Sequence, residues 1–264
     1  MRSRLDTKSI FGYVPEIYFG RVRNWKKREN KDKNNFLHVD DTDGHLALYS
    51  LTYGMDVTVY EPNKSLLYGG KIEYPVLIPN SEDYVFIKKT VEGLEDRAKM
   101  IFGEKKLKLY NKNFYKSNCN EKYIYVTACR SLNREENKDV SMEDKINKLK
   151  KAVDFDGYLY IEYYIANKSD DYELYPSNSY LRENELESYF DKVEWTIITN
   201  NINIEKDLIT PFNKENKDVV IGYFVARRRP TPVVKEHKIK FEYVDNKRVL
   251  LQRNYTINGV VQCD

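Results

Sequence analysis

The sequence predicts an α/β protein built on a doubly wound, mostly parallel sheet, and three stretches carry that expectation. Residues 36 to 63 read as one β-α-β unit: a short apolar run, Phe36-Leu37-His38-Val39, a tight acidic loop, Asp40-Asp41-Thr42-Asp43, an amphipathic decamer ending at Gly54, and an alternating strand closed by Glu61. Tyr123 to Cys129 is a continuous apolar run, as in a central parallel strand buried on both faces. Tyr158 to Ile165 is another such run, and a helical pattern precedes it. In units of this kind the ligand sits where the first strand hands over to its helix. The acid closing the second strand reaches a ribose hydroxyl, and Glu61 holds that place.

Bulk composition narrows the function classes. A chain of 264 residues buries a substantial core, and Lys+Arg 44 against Asp+Glu 41 gives a net charge of +3, a near balance that argues neither for a dedicated nucleic-acid binder nor for an acidic solvating tail. Cys119, Cys129 and Cys263 are odd in number and lack metal-ligand spacing, so neither a disulfide framework nor a zinc site is expected. Asp40, Asp41 and Asp43 invite a divalent cation, but the calcium-loop pattern is not met in full and no metal is expected. The start lacks an apolar signal core, and no run approaches the roughly 20 apolar residues of a membrane span. The expected setting is cytoplasmic, without membrane contact.

Three regions follow in order. Residues 1–35 form a basic N-terminal arm or lid, in which Arg21, Arg23, Lys26, Lys27, Arg28, Lys31 and Lys33 surround Trp25. Such a run either contacts phosphates and stacks a base, a weak nucleic-acid signal, or is a solvated connector. Residues 36–230 form the main domain. Lys64 starts a second helix that Gly69-Gly70, Pro75 and Pro79 interrupt, marking an insertion near 69–83. Ser81 then caps a helix running to Gly103, with Ile87, Val91, Leu94, Ala98 and Ile101 as its core stripe. Residues 231–264 alternate and turn like a small β hairpin or meander, which must pack on something because an isolated hairpin is marginal in water. The main domain, a protein partner or a second copy of the chain suits it.

Within the main domain, Leu107 to Asn111 reads as the third strand, and the loop after Tyr123–Cys129 carries Arg130 and Arg134 as candidate anion or substrate contacts. Ser141-Met142-Glu143-Asp144 resembles a capping box, and Asp156-Gly157 turns the chain into the fifth strand. His38 and His45 flank the acidic loop. Each is either a titrating group or a surface histidine.

The stretch His38 to Gly44, followed by Leu48-Tyr49, resembles the first motif of class I S-adenosylmethionine-dependent methyltransferases, in which an acid and three alternating glycines precede a helix. With Gly44 on the last glycine, His38 stands at the acid and Asp40 and Thr42 at the first two glycines. Ser131 to Glu135, Gly157-Tyr158, Glu183 to Phe190 before Trp195, and Tyr223 to Arg228 are similar to the tellurite-resistance methyltransferase group, over roughly residues 34 to 229. The resemblance implies a Rossmann-like sheet of the class I methyltransferase type, mostly parallel with one antiparallel strand. It implies S-adenosylmethionine held by His38, Asp40, Thr42, Gly44, Glu61 and Asn111, with Asn111 at the adenine. It implies methyl transfer to a small-molecule or oxyanion acceptor, contacted by Arg130 or Arg134. Asp40 adds a side chain and a negative charge where the family brings backbone against the cofactor's carboxylate. A second reading is therefore a catalytically inactive methyltransferase-fold protein, acting as a binding or regulatory subunit of a larger, nucleic-acid-processing complex.

Overall fold

The computed structural model of the chain describes residues 8–9, 12–13, 34–41, 44–77, 84–103, 107–166, 180–206, 218–230, 238–244, 247–257 and 260–263. Two compact units divide it, Met1–Arg228 and Arg229–Asp264. In the first, strands β1 (Lys8–Ser9) and β2 (Gly12–Tyr13) form a two-residue antiparallel pair. The basic stretch around Trp25 lies outside the described residues.

The first unit is organised on β3 (Asn35–Val39), which runs parallel to β4 (Asp56–Tyr60) on one side and to β8 (Tyr123–Cys129) on the other. Outward lie β7 (Leu107–Tyr110) beside β4, and β9 (Val153–Ile165) beside β8, both parallel. Strand β11 (Asp218–Arg228) then pairs antiparallel with β9, and β10 (Trp195–Lys206) antiparallel with β11. The order across the seven strands is β10-β11-β9-β8-β3-β4-β7. Alternation divides the central strands between two apolar layers: Phe36, Val57, Val59, Tyr125 and Tyr160 face one, and Leu37, Val39, Tyr60, Val126 and Ile161 the other.

Helix α1 (His45–Thr52) joins β3 to β4 and buries Leu46, Ala47, Leu48 and Leu51 in the first layer. Helix α4 (Met142–Ala152) joins β8 to β9 and buries Met142, Ile146 and Leu149 in the second. Of the expected capping box the N-cap bond is formed, the Ser141 hydroxyl accepting from the Asp144 amide at 3.1 Å, while the Asp144 carboxylate accepts from that hydroxyl at 2.6 Å.

The crossover between β4 and β7 departs from expectation. In place of a helix from Ser81 to Gly103, β5 (Gly70–Leu77) and β6 (Tyr84–Val91) pair as an antiparallel hairpin between a short helix α2 (Lys64–Tyr68) and α3 (Leu94–Phe102). The inserted element thus runs from 70 to 91, past the 69–83 expected. The spacing from Ile87 to Ala98 suits a helix, but Tyr84 to Val91 is rich in β-branched and aromatic residues, and Gly70 to Leu77 supplies a partner strand. Pairing over 8 residues on each side overrides the helical period. Leu94 and Ala98 are buried as the stripe requires, whereas Ile101 is exposed. Ser81 lies outside the described residues.

Asp156-Gly157 also differs from expectation. It lies within β9 rather than before it, where the pairing with β8 shifts register and Asp156 takes a φ of 63°. Arg227 of β11 donates from Nε to Asp156 Oδ1 at 2.8 Å, which ties this bulge to the neighbouring strand.

Gly222 of β11 sits opposite Tyr163 of β9, and a Cβ there would lie 2.4 Å from the Tyr163 ring. Alanine in a strand interior is ordinarily more stable than glycine by roughly 0.5–1 kcal/mol. Here overlap with a fully buried ring reverses the sign. Gly222→Ala is expected to destabilise by about 1–3 kcal/mol, read from the urea midpoint.

The second unit is a three-stranded antiparallel sheet, β12 (Lys238–Val244), β13 (Lys247–Ile257) and β14 (Val260–Cys263). This is the meander expected after Pro232. Among the described residues no helix is long and apolar enough to cross a membrane.

Candidate functional site

The site is built at the carboxyl ends of β3, β4, β7 and β8. Strand β3 hands over to α1 and its neighbour β8 to α4 on the opposite layer, so the sheet has its topological switch point between them. Backbone pairing continues one residue past the strands: the Asp40 amide donates to Tyr60 O at 2.8 Å and the Glu61 amide to Tyr110 O at 3.1 Å. Both acids are thereby fixed at the rim.

Glu61 stands where the sequence puts it, closing β4, and it is 1% exposed. Its carboxylate accepts two hydrogen bonds on Oε1 and one on Oε2. Arg134 grips it in a two-pronged pair, Nη1 to Oε1 at 3.0 Å and Nη2 to Oε2 at 3.1 Å, while the Asn63 amide donates to Oε1 at 2.9 Å. Nη2 of Arg134 also donates to Asp40 O at 3.3 Å. The guanidinium therefore spans the loops after β3 and β4.

Asp40 takes a left-handed φ of 57°, as a position that is glycine in the resembled motif would require, and it is 2% exposed. Its Oδ2 accepts from Asn137 Nδ2 at 3.3 Å, and the same amide donates to Ser131 O at 2.7 Å. Burial pushes the Asp40 carboxyl up to about 7; the Arg134 charge opposes that shift and the Glu61 charge adds to it. Asp41 turns back on its own helix, Oδ2 accepting from the Ala47 amide at 2.8 Å. Gly44 caps α1 at φ 77°. Thr42 lies outside the described residues.

The remaining expected site residues are held as follows. Asn111 donates its amide to Glu61 O at 3.1 Å and Pro62 O at 2.8 Å, bracing the loop after β4 and leaving its Oδ1 as the acceptor an adenine amino group would need. His38 is no surface residue: it is fully buried, with Nδ1 2.6 Å from Thr127 Oγ1 and Nε2 3.1 Å from Ser50 Oγ, linking β3 to β8 and α1. Burial holds its pKa down at about 3, so it is neutral and structural rather than a ligand contact. Arg130 is drawn into the neighbouring strand, with Nε to Glu162 Oε1 at 2.6 Å and Nη1 to Tyr164 OH at 3.0 Å. Neither arginine stands as an open anion contact, because each already faces a carboxylate.

Sequence reasoning did not find Asn137, Glu162, Tyr115 or Ser131. Tyr115 OH lies 2.5 Å from Ser131 Oγ, and burial first, then the Asp40 charge, raises its pKa. Of these only Glu162 left a signal, as an acid inside an apolar strand. A separate cavity of about 690 Å³, lined by Tyr60, Tyr110, Lys112, Cys119 and Glu121 among others, lies against the loop that joins β7 to β8. Neither Glu61 nor Asp40 lines it.

The two buried titrating groups pull stability in opposite directions with pH. Asp40 has its folded pKa raised, so its contribution is complete below the unfolded value of about 4 and is lost as pH rises through about 7. His38 has its folded pKa depressed, so its contribution is present above about 6.5 and is lost as pH falls towards about 3. Asn tolerates left-handed backbone and carries no charge. Asp40→Asn is therefore expected to be more stable than wild type by about 1–3 kcal/mol at pH 8, with the difference vanishing near pH 4 in urea titrations.

No protein-family model matches the sequence, and no curated protein sequence matches it. Solved structures do. TehB from Haemophilus influenzae superposes with a TM-score of 0.54 at 17% identity, over 80% of this chain and 62% of its own. YjhP from E. coli superposes with a TM-score of 0.54 at 9% identity, over 82% of this chain and 94% of its own. YcgJ from Bacillus subtilis gives 0.52 at 9%, over 81% and 99%. The chain thus spans less than two thirds of TehB. At these identities the likeness is one of fold, and the fold is the Rossmann-like class I methyltransferase type.

Proposed function

We propose that the protein is an S-adenosylmethionine-dependent methyltransferase acting on a small-molecule or oxyanion acceptor. The observation that carries this reading is Glu61, a carboxylate closing β4 at the switch edge of a sheet with the class I methyltransferase strand order. The fit to the cofactor is conditional: Glu61 and the Asn111 amide oxygen suit the ribose diol and the adenine, but Arg134 must first release the acid. Bound there, the cofactor would supply an activated methyl group for in-line transfer. The chain's own share is to orient and to exclude water, and orientation alone can supply about 7–11 kcal/mol of a barrier without a strong base. TehB's likeness in fold supports the reading at the level of architecture, and the choice of acceptor follows the sequence resemblance carried by Ser131 to Glu135 and Tyr223 to Arg228.

Calorimetric titration with S-adenosylhomocysteine tests it. Saturable binding that Glu61→Gln weakens about tenfold or more is the expected result. Absence of heat at millimolar ligand would overturn it in favour of an inactive methyltransferase-fold binding subunit.

A further inference from the structure

We propose that Arg134 is an internal competitor for the ligand's ribose diol, clasping Glu61 in the resting protein and withdrawing when an adenosyl ligand enters. This rests on the cofactor reading of the same site. Oε1 of Glu61 accepts from both Arg134 Nη1 and the Asn63 amide, which fills its two lone pairs, whereas Oε2 accepts from Arg134 alone. A diol that bonds both carboxylate oxygens therefore needs the position on Oε1 that the guanidinium holds, and the two-pronged clasp and the diol are mutually exclusive there.

The geometry suits a movable group better than a fixed strut. Arg134 sits between two short 3-10 turns, Ser131–Asn133 and Glu135–Asn137, and its side chain is 18% exposed while Glu61 is 1% exposed. The turns themselves are pinned from beneath: Asn133 Oδ1 accepts from the Tyr164 amide at 2.8 Å, and Asn137 bonds Ser131 O and Asp40. The guanidinium has a reach that its backbone lacks. It also has a second counter-charge close by, since Asp40 already offers its carbonyl at 3.3 Å and its carboxyl interacts electrostatically with Arg134. Withdrawal from Glu61 towards Asp40 therefore keeps the guanidinium beside an acceptor and a carboxyl that ionises as pH rises through about 7, which offsets part of the cost of leaving Glu61. A ligand that must first open the clasp binds with an apparent affinity reduced by the open fraction.

The test is titration of the full-length protein with S-adenosylhomocysteine, comparing wild type with Arg134→Lys and Arg134→Gln. Lysine keeps a cation for Glu61 but not the two-pronged grip, so at least this variant retains its fold, as circular dichroism would verify. Both variants are expected to bind about 10-fold or more tightly than wild type, as for a competent state populated at about 10% or less. With 2′,3′-dideoxyadenosine, which lacks the diol, the same substitutions should leave affinity unchanged. Wild-type binding that the variants only match or weaken would overturn the clasp and leave the methyltransferase reading standing. Folded proteins that all fail to bind would remove that reading, and the clasp with it.

Discussion

Glu61→Ala is expected to lower the folding stability by about 3 kcal/mol, near the lower end of what removal of one partner from a buried ion pair costs. The lower end applies because the Arg134 side chain keeps 18% of its surface in contact with water and can recover part of its hydration. The loss comes from the guanidinium left behind, which keeps the Asp40 carbonyl at 3.3 Å and the charge of an Asp40 carboxyl only partly ionised near pH 7, and from the Asn63 amide, which loses its acceptor. Because the penalty belongs to the stranded charge, Glu61→Ala combined with Arg134→Met should be more stable than Glu61→Ala alone, recovering about 1–2 kcal/mol. Urea unfolding of the two single variants and the double variant closes the cycle. Additive losses would mean that the pair is not what holds the two loops together.

That cycle also shows what the sequence does and does not disclose. The β-α-β unit from Phe36 to Glu61 is legible because its signals are local: a short apolar run, an acidic turn closed by Gly44, and an alternating strand with an acid at its end, although the helix between them is buried at every position from Leu46 to Leu51 rather than amphipathic. The parallel pairing of Val39 with Tyr60 and of Val39 with Ala128 follows from two apolar runs that each need cover on both faces. Identity of the rim residues is equally local, so Glu61, Asp40 and Asn111 could be placed at the edge. Their partners could not. Arg134 and Glu61 are separated by 73 residues, Asp40 and Asn137 by 97, and no periodicity records which charges meet across a sheet edge. Arg130 and Arg134 thus read as open anion contacts although each is paired with an acid. His38, open in the sequence between a titrating group and a surface histidine, is neither, for a related reason: no local pattern shows that Thr127 and Ser50 meet its two ring nitrogens.

The hairpin inside the second crossover was illegible for a different reason, and the largest steric effect expected in the molecule lies there. The chain leaves the helical layer after Tyr68 and returns at Leu94, so Gly69 and Gly93 pass each other where the two strands begin and end. A Cβ on Gly93 would lie 2.5 Å from the Gly69 nitrogen, 2.5 Å from the Tyr68 carbonyl carbon and 2.6 Å from Leu67 O. All three are backbone atoms, so no rotamer change relieves the overlap, and the base of the hairpin must spread. Gly93→Ala is expected to destabilise by about 3 kcal/mol or more, at the upper end of overpacking costs. For a domain of this size that is a fall in the melting temperature of roughly 6–12 °C. Gly103→Ala is the matched control, because nothing lies within 4 Å of its Cβ and only its φ of 68° opposes a side chain. Its ψ of −153° places it in a backbone region that is essentially glycine-only, so the substitution should cost about 1–3 kcal/mol from the backbone alone. Equal losses at the two positions would mean that the strands and α3 are not held by this backbone crossing, and that the hairpin is free to move relative to the helix it interrupts.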